Sequence, residues 1–156
     1  VEPTNYNCPG QIVISGDAAP VDRAIELMME AGARRCIPLN VSGPFHTSLM
    51  KPAGDKLKER FANETFGPMQ FPVVFNTLGR TKTEEETIPA LLEKQVQHSI
   101  YIEDSIRFMA EQGVDTIVEI GPGTALSKFV KKTCPDITCY SVEKAEDIDA
   151  LLEKLA

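Results

Sequence analysis

The alternation of apolar and polar positions divides the chain into short β-branched runs and longer stretches of helical spacing. Gln11 to Ser15 is a β-branched run stopped by Gly16 and Asp17, a strand followed by a turn. From Asp17 to Ala31, apolar residues at Ala24, Ile25, Met28 and Met29 mark one helical face, and Gly32 ends it. Cys36 to Val41 reads as a second strand. Together these predict a β-α-β unit, whose parallel strands need cover on both faces.

Beyond a short loop, Leu49 to Phe66 presents Met50, Ala53, Leu57 and Phe61 at helical spacing, with lysines and acids opposite. Pro72 to Asn76 is a strand run. Glu84 to Gln97 is predicted as a helix with Ile88, Leu91 and Leu92 inward and Glu84, Glu85 and Glu86 as a solvated first turn, where negative charge is favoured. Ile102 to Gln112 repeats the helical pattern. Thr116 to Ile120 is a strand ending at Gly121, Pro122 and Gly123, and Ala125 to Lys132 is the helix after it. Thr138 to Val142 is a further strand, and Ile148, Leu151, Leu152 and Leu155 form a closing amphipathic helix. Strands alternating with helices give an α/β class.

Composition narrows the function more than the fold. The chain has 156 residues and is 42% apolar, enough for one domain with a core. Its net charge is −7 and it carries no basic block, so nucleic acid is not expected as a partner. An acidic partner could still dock on a local basic patch, and Arg34, Arg35, Lys51, Lys131 and Lys132 are candidates by charge alone. Cys8, Cys36, Cys134 and Cys139 fit neither a disulfide framework nor a CxxC metal spacing, which points to a reducing compartment. No apolar run approaches the ~20 residues of a membrane span, so no membrane partner is expected. A cytoplasmic location is the simplest expectation. The opening residues, without an initiator Met, suggest that the chain starts inside a longer protein.

His46 is the one residue whose position invites chemistry. It follows the predicted strand and precedes the predicted helix, where open α/β sheets place reactive groups, although a lone His is more often structural. His98 reads as a surface residue, and no metal site is supported. The turn Gly121 to Ala125 joins a strand to a helix N-terminus, but it lacks the ending of a phosphate loop.

Three stretches extend this picture: NYNCPGQIVISG (Asn5 to Gly16), LNVSGPFHTSLMKPA (Leu39 to Ala53) and EIGPGTALSKFV (Glu119 to Val130). They resemble successive motifs of the malonyl-CoA:acyl-carrier-protein transacylases, in that family's order and at about its spacing. The resemblance covers essentially the whole chain and corresponds to the C-terminal half of the family's sequence. It implies the C-terminal part of an α/β-hydrolase-like acyltransferase core plus part of a ferredoxin-like small subdomain, with residues 1–42 in the subdomain and 43–156 in the core.

The activity implied is ping-pong transfer of malonyl from malonyl-CoA, through a serine, to the phosphopantetheine thiol of acyl carrier protein in fatty acid synthesis, without a cofactor. His46 matches the family's catalytic histidine. Gln95 matches the position whose main-chain carbonyl orients the imidazole, and a solvated helix-end glutamine is the alternative. Asn5 and Asn7 match paired asparagines beside the acyl and pantetheine channel, though Asn near Pro and Gly also forms turns. Phe45 looks like the residue that goes with malonyl and against branched units, unless it merely packs in the core.

The chain contains no G-x-S-x-G nucleophile elbow, and the family's glutamine-containing oxyanion loop and carboxylate-binding arginine also precede the matched region. The resemblance therefore implies a missing N-terminal half as a partner, and an isolated chain without transacylase activity. Ser99, Ile100, Tyr101 and Ile102 depart from the family's Pro-Val-x-Trp pattern. Two alternatives stay open: the acyltransferase domain of a polyketide synthase, and a non-catalytic carrier-protein docking module in which His46 is structural.

Overall fold

The computed structural model describes residues 1–155. Its first elements are a hairpin: β1 (Glu2–Cys8) runs antiparallel to β2 (Gln11–Ser15), joined by a tight turn at Pro9 and Gly10. Gly10 has φ +74°, a backbone conformation that costs a glycine nothing. β1 was not expected from the sequence, because its Asn and Pro content reads as turn. It forms because its far edge pairs in parallel with β5 (Ile100–Tyr101), placing Tyr6 opposite Tyr101. The two rings stack with centroids 5.2 Å apart, an arrangement worth ~1 kcal/mol beyond burial. Thr4 and Cys8 lie fully buried beneath this three-stranded sheet.

Helix α1 (Ala18–Glu30) follows β2 as the spacing predicts. The predicted strand at Cys36 to Val41 is not formed, so the expected β-α-β unit is replaced by a β-hairpin and a helix. The alternation that suggested the strand is genuine, but Ile37, Leu39 and Val41 are 61%, 59% and 64% exposed. A strand exists only against a partner edge, and none of the described residues supplies one here.

After the His46 loop, a single 3₁₀ turn (Ser48–Met50) leads into α2 (Lys51–Phe61), which packs against α3 (Ile88–Gln97) with Gly54 buried at the contact. Both helices are shorter than predicted. α3 starts at Ile88 with Pro89 in its first turn, where a missing N–H is harmless. The Glu84 to Glu86 run therefore lies outside the helix. Glu86 instead forms a two-pronged pair with Arg80 at 2.9 and 3.0 Å and accepts the Thr83 N–H at 2.8 Å. These bonds hold Glu86 at a pKa of about 2. Arg80 belongs to a small hairpin of β3 (Val74–Phe75) and β4 (Arg80–Thr81), the only part of the predicted Pro72 to Asn76 run that pairs.

The C-terminal third matches its prediction within a residue or two. α4 (Ile102–Glu111) covers β1, and β6 (Thr116–Ile120) pairs in parallel and in register with β7 (Thr138–Val142) across the connecting helix α5 (Ala125–Thr133). α6 (Glu146–Leu155) closes on β7, with the Lys154 ammonium 5.8 Å from the Tyr140 ring centre. The buried apolar residues Leu91, Ile100, Ile106, Val130 and Val142 run from α3 to β7. No helix among the described residues is long and apolar enough to cross a membrane.

Candidate active site

An α-helix leaves its last four carbonyls without intrahelical partners. At the end of α3 two of these, on Gln95 and Val96, face the loop that carries His46. The Val96 carbonyl accepts the His46 backbone N–H at 2.9 Å, and the Gln95 carbonyl lies 2.7 Å from the ring Nδ1. A carbonyl only accepts, so this contact requires the proton on Nδ1 and makes Nε2 the basic nitrogen of the neutral ring. The structure thus brings His46 and Gln95 together across 49 residues, and it uses the Gln95 backbone rather than its side chain.

His46 has φ +65°, the only non-glycine residue with positive φ among the described residues. For a residue with a Cβ this conformation costs ~1–2 kcal/mol and persists only where neighbours hold it in place. Two further contacts do so, and a third holds the facing segment. The hydroxyl of Thr47, a fully buried residue, donates to the Pro44 carbonyl at 2.6 Å, closing the loop across the histidine. The Glu2 carboxylate accepts the Ser48 N–H, with both oxygens at 3.2 Å, and the Ser48 hydroxyl. The Ser99 hydroxyl donates to the Pro3 carbonyl at 2.6 Å. The Ser48 bonds hold the Glu2 carboxyl below its usual range.

The imidazole lines a groove of about 300 Å³ with Leu57, Phe61, Leu92, Gln95 and Val96. One side is therefore apolar helix surface, and His46 is the titratable group in it. Phe45 is 47% exposed, so it does not pack in the core, and the loop is more open than its apolar sequence suggests. Asn5 and Asn7 lie on β1, the strand whose first residue holds Ser48; Asn7 is buried and Asn5 half-buried. Their strand position, with Asn5 opposite Val13 and Ile100, rules out the turn reading. His98 is exposed just beyond α3.

A larger hollow of about 620 Å³ lies elsewhere, lined by Gln11, Thr124, Phe129 and the lysines Lys128, Lys131 and Lys132. Its lining contains no histidine, cysteine or carboxylate. The turn before α5 is no phosphate cradle either, because the Leu126 and Ser127 amides donate at 3.0 and 2.8 Å to the Glu119 carboxylate. Burial pushes the Glu119 carboxyl up, but the Ser127 hydroxyl and the two amides outweigh it, leaving it below its usual range. Glu2, Thr47, Ser48 and Ser99 were not anticipated. Glu119 carried a readable signal, an acid inside an apolar strand run just ahead of a helix; Glu2, 46 residues from its partner, carried none.

Comparison with known proteins follows the same region of sequence. No family model matches the chain. A malonyl CoA-acyl carrier protein transacylase of Bacillus subtilis is 43% identical over 155 residues, covering 99% of this chain and 49% of that protein. The crystal structure of a malonyl CoA-acyl carrier protein transacylase from Clostridium perfringens superposes with a TM-score of 0.93 at 41% identity, covering 99% of this chain and 48% of that one. A malonyl-transacylase solved in complex with a type II PKS acyl-carrier protein gives a TM-score of 0.92 at 38% identity, over 97% of this chain and 49% of that one. The chain spans about half the length of the proteins it matches.

Proposed function

Because this chain is homologous over nearly its whole length to malonyl CoA-acyl carrier protein transacylases and shares their α/β acyltransferase fold, we propose that it is the C-terminal half of such an acyltransferase. In this reading it supplies the proton-shuttling histidine for a serine carried by the N-terminal half. The observation that carries the proposal is the 2.7 Å contact between His46 Nδ1 and the Gln95 carbonyl, which leaves Nε2 as the unprotonated nitrogen and supports its reading as the base.

The chemistry follows from that tautomer. A serine hydroxyl attacks the malonyl thioester of malonyl-CoA as its proton passes to Nε2; the tetrahedral intermediate collapses, and the departing thiolate takes that proton. The acyl carrier protein's thiol then gives its proton to Nε2 and attacks the malonyl-serine, and the serine oxygen leaves with the proton. Throughout, the Gln95 carbonyl can accept from Nδ1–H, keeping the ring's orientation in both protonation states.

Asn5 and Asn7 hold the thioester arm, and Phe45, exposed beside the histidine, narrows the acyl site against an α-methyl group by ~1–3 kcal/mol. Residues 1–42 belong to the small subdomain and 43–156 to the core, with β1–β5 pairing joining them. Lys131 and Lys132, beside the larger hollow, give a local positive field for a carrier protein. The likeness to a transacylase bound to a type II PKS carrier supports polyketide carriers as well as fatty-acid ones.

The isolated chain, lacking a nucleophile elbow, forms no malonyl-enzyme. A chimaera in which it replaces the matching half of the Bacillus subtilis relative tests the role of His46. His46→Ala should lower malonyl transfer by roughly 10²–10⁴-fold while carrier binding persists. Transfer within threefold of the unmodified chimaera would leave His46 a structural residue and the chain a docking module.

A further inference from the structure

The contact between His46 and Gln95 joins two segments that have no sequence reason to meet at 2.7 Å. Each is fastened, close to the reactive pair, to the same end of β1. The His46 segment is held at Ser48, whose N–H and hydroxyl both donate to Glu2. The Gln95 segment is held at Ser99, whose hydroxyl donates to the carbonyl of Pro3, the next residue along. Glu2 and Pro3 are adjacent, so the separation between the two segments is set by one peptide unit of a paired strand. We propose that Glu2 is a positioning residue for His46: with Ser99 on Pro3, it clamps the imidazole against the Gln95 carbonyl. This deepens the acyltransferase reading and rests on it only for the consequence to catalysis.

The left-handed backbone at His46 is what makes such a clamp necessary. A residue with a Cβ favours negative φ, so the ring's place at the end of α3 depends on what holds this backbone. Thr47 closes the loop from within, but its acceptor Pro44 belongs to the same loop and cannot fix its place relative to α3. Glu2 and the Val96 carbonyl do fix it, and of these Glu2 makes the charge-assisted contact.

The test is spectroscopic and needs no reaction. In the 156-residue chain, ring ¹⁵N spectra should show His46 held as the Nδ1–H tautomer. Glu2→Gln should mix the tautomers and raise hydrogen exchange at the His46 and Ser48 amides by about tenfold, as expected for loss of one charge-assisted bond. Exchange at Leu91, Ile106 and Val130 should stay within twofold. Ser99→Ala should loosen the same ring from the other side, while Ser48→Ala, which keeps the amide, should do less. An unchanged ring spectrum in Glu2→Gln, or a uniform rise at the core amides as well, would overturn the proposal. In the chimaera, Glu2→Gln should lower kcat severalfold with little change in the KM for malonyl-CoA. Should His46→Ala prove harmless there, the acyltransferase reading fails while the ring spectra still decide the clamp.

Discussion

Two loops in this molecule lead into helices, and they are fastened in opposite ways. The turn from β6 into α5 is closed locally: Glu119 receives the amides of Leu126 and Ser127 and the Ser127 hydroxyl, which also lies 3.0 Å from the Ser141 hydroxyl on β7. The loop into α2 is held from afar, by residues 46 to 50 positions away, and Ser99 ties the facing segment across 96 positions. A helix start capped by its own strand has used its free N–H groups and offers nothing to a ligand. A loop whose backbone is held by distant elements keeps a side-chain atom, here Nε2, free for chemistry. The first arrangement lies within one β-α junction and its neighbouring strand; the second depends on distant parts of the fold.

The largest expected stability effect comes from breaking the local junction. Glu119 is 8% exposed, and Glu119→Ala removes the shared acceptor of two amides and a hydroxyl at a half-buried turn, which should destabilise the chain by ~2–3 kcal/mol. The urea midpoint measures this. A loss under ~0.5 kcal/mol would mean that water replaces the carboxylate and that the two junctions do not differ as described. Thr47→Val removes the bond to Pro44 at nearly constant volume and should cost ~1–2 kcal/mol. It should also broaden the His46 ring signals, which Glu119→Ala should leave sharp.

Acid sharpens the comparison. Glu2, Glu86 and Glu119 all have carboxyls held below the ordinary value of 4.5. The unfolded chain therefore takes up protons first, and the stability these groups contribute is whole above pH 4.5 and falls as pH drops through their native values. For Glu86 that loss should extend down to about 2, so the Arg80 hairpin should outlast other carboxylate contacts in an NMR titration. Arg80→Ala should return the Glu86 midpoint towards 4.5. A Glu86 midpoint near 4.5 in the unmodified chain would show the pair to be loose.

The same contrast between local and distant fastening decides what was legible in the sequence. Helices α4 and α5 and strands β6 and β7 were readable because each is specified by its own residues: apolar spacing, a Gly-Pro-Gly stop, β-branched runs. β1 was not, because it is a strand only by virtue of Tyr101, 95 positions beyond Tyr6. Cys36 to Val41 failed in the reverse sense, a good strand pattern without a partner edge. The acidic run before α3 misled because Glu86 is bound to Arg80 instead of starting a helix. His46 and Gln95 came from family resemblance; no spacing rule predicts that two residues 49 apart will share a proton contact.

The smallest effect is the most discriminating. If the orienting group were the Gln95 side chain, Gln95→Ala would free Nδ1 and cost as much as other losses of a histidine's partner. The geometry assigns the contact to the main-chain carbonyl, which alanine retains, and alanine also continues the helix well. Gln95→Ala should therefore leave the His46 tautomer unmixed and malonyl transfer in the chimaera within about twofold, a change under ~0.5 kcal/mol. A fall of tenfold or more would show that the amide takes part, and the orienting role would then belong to a side chain that the sequence alone could have specified.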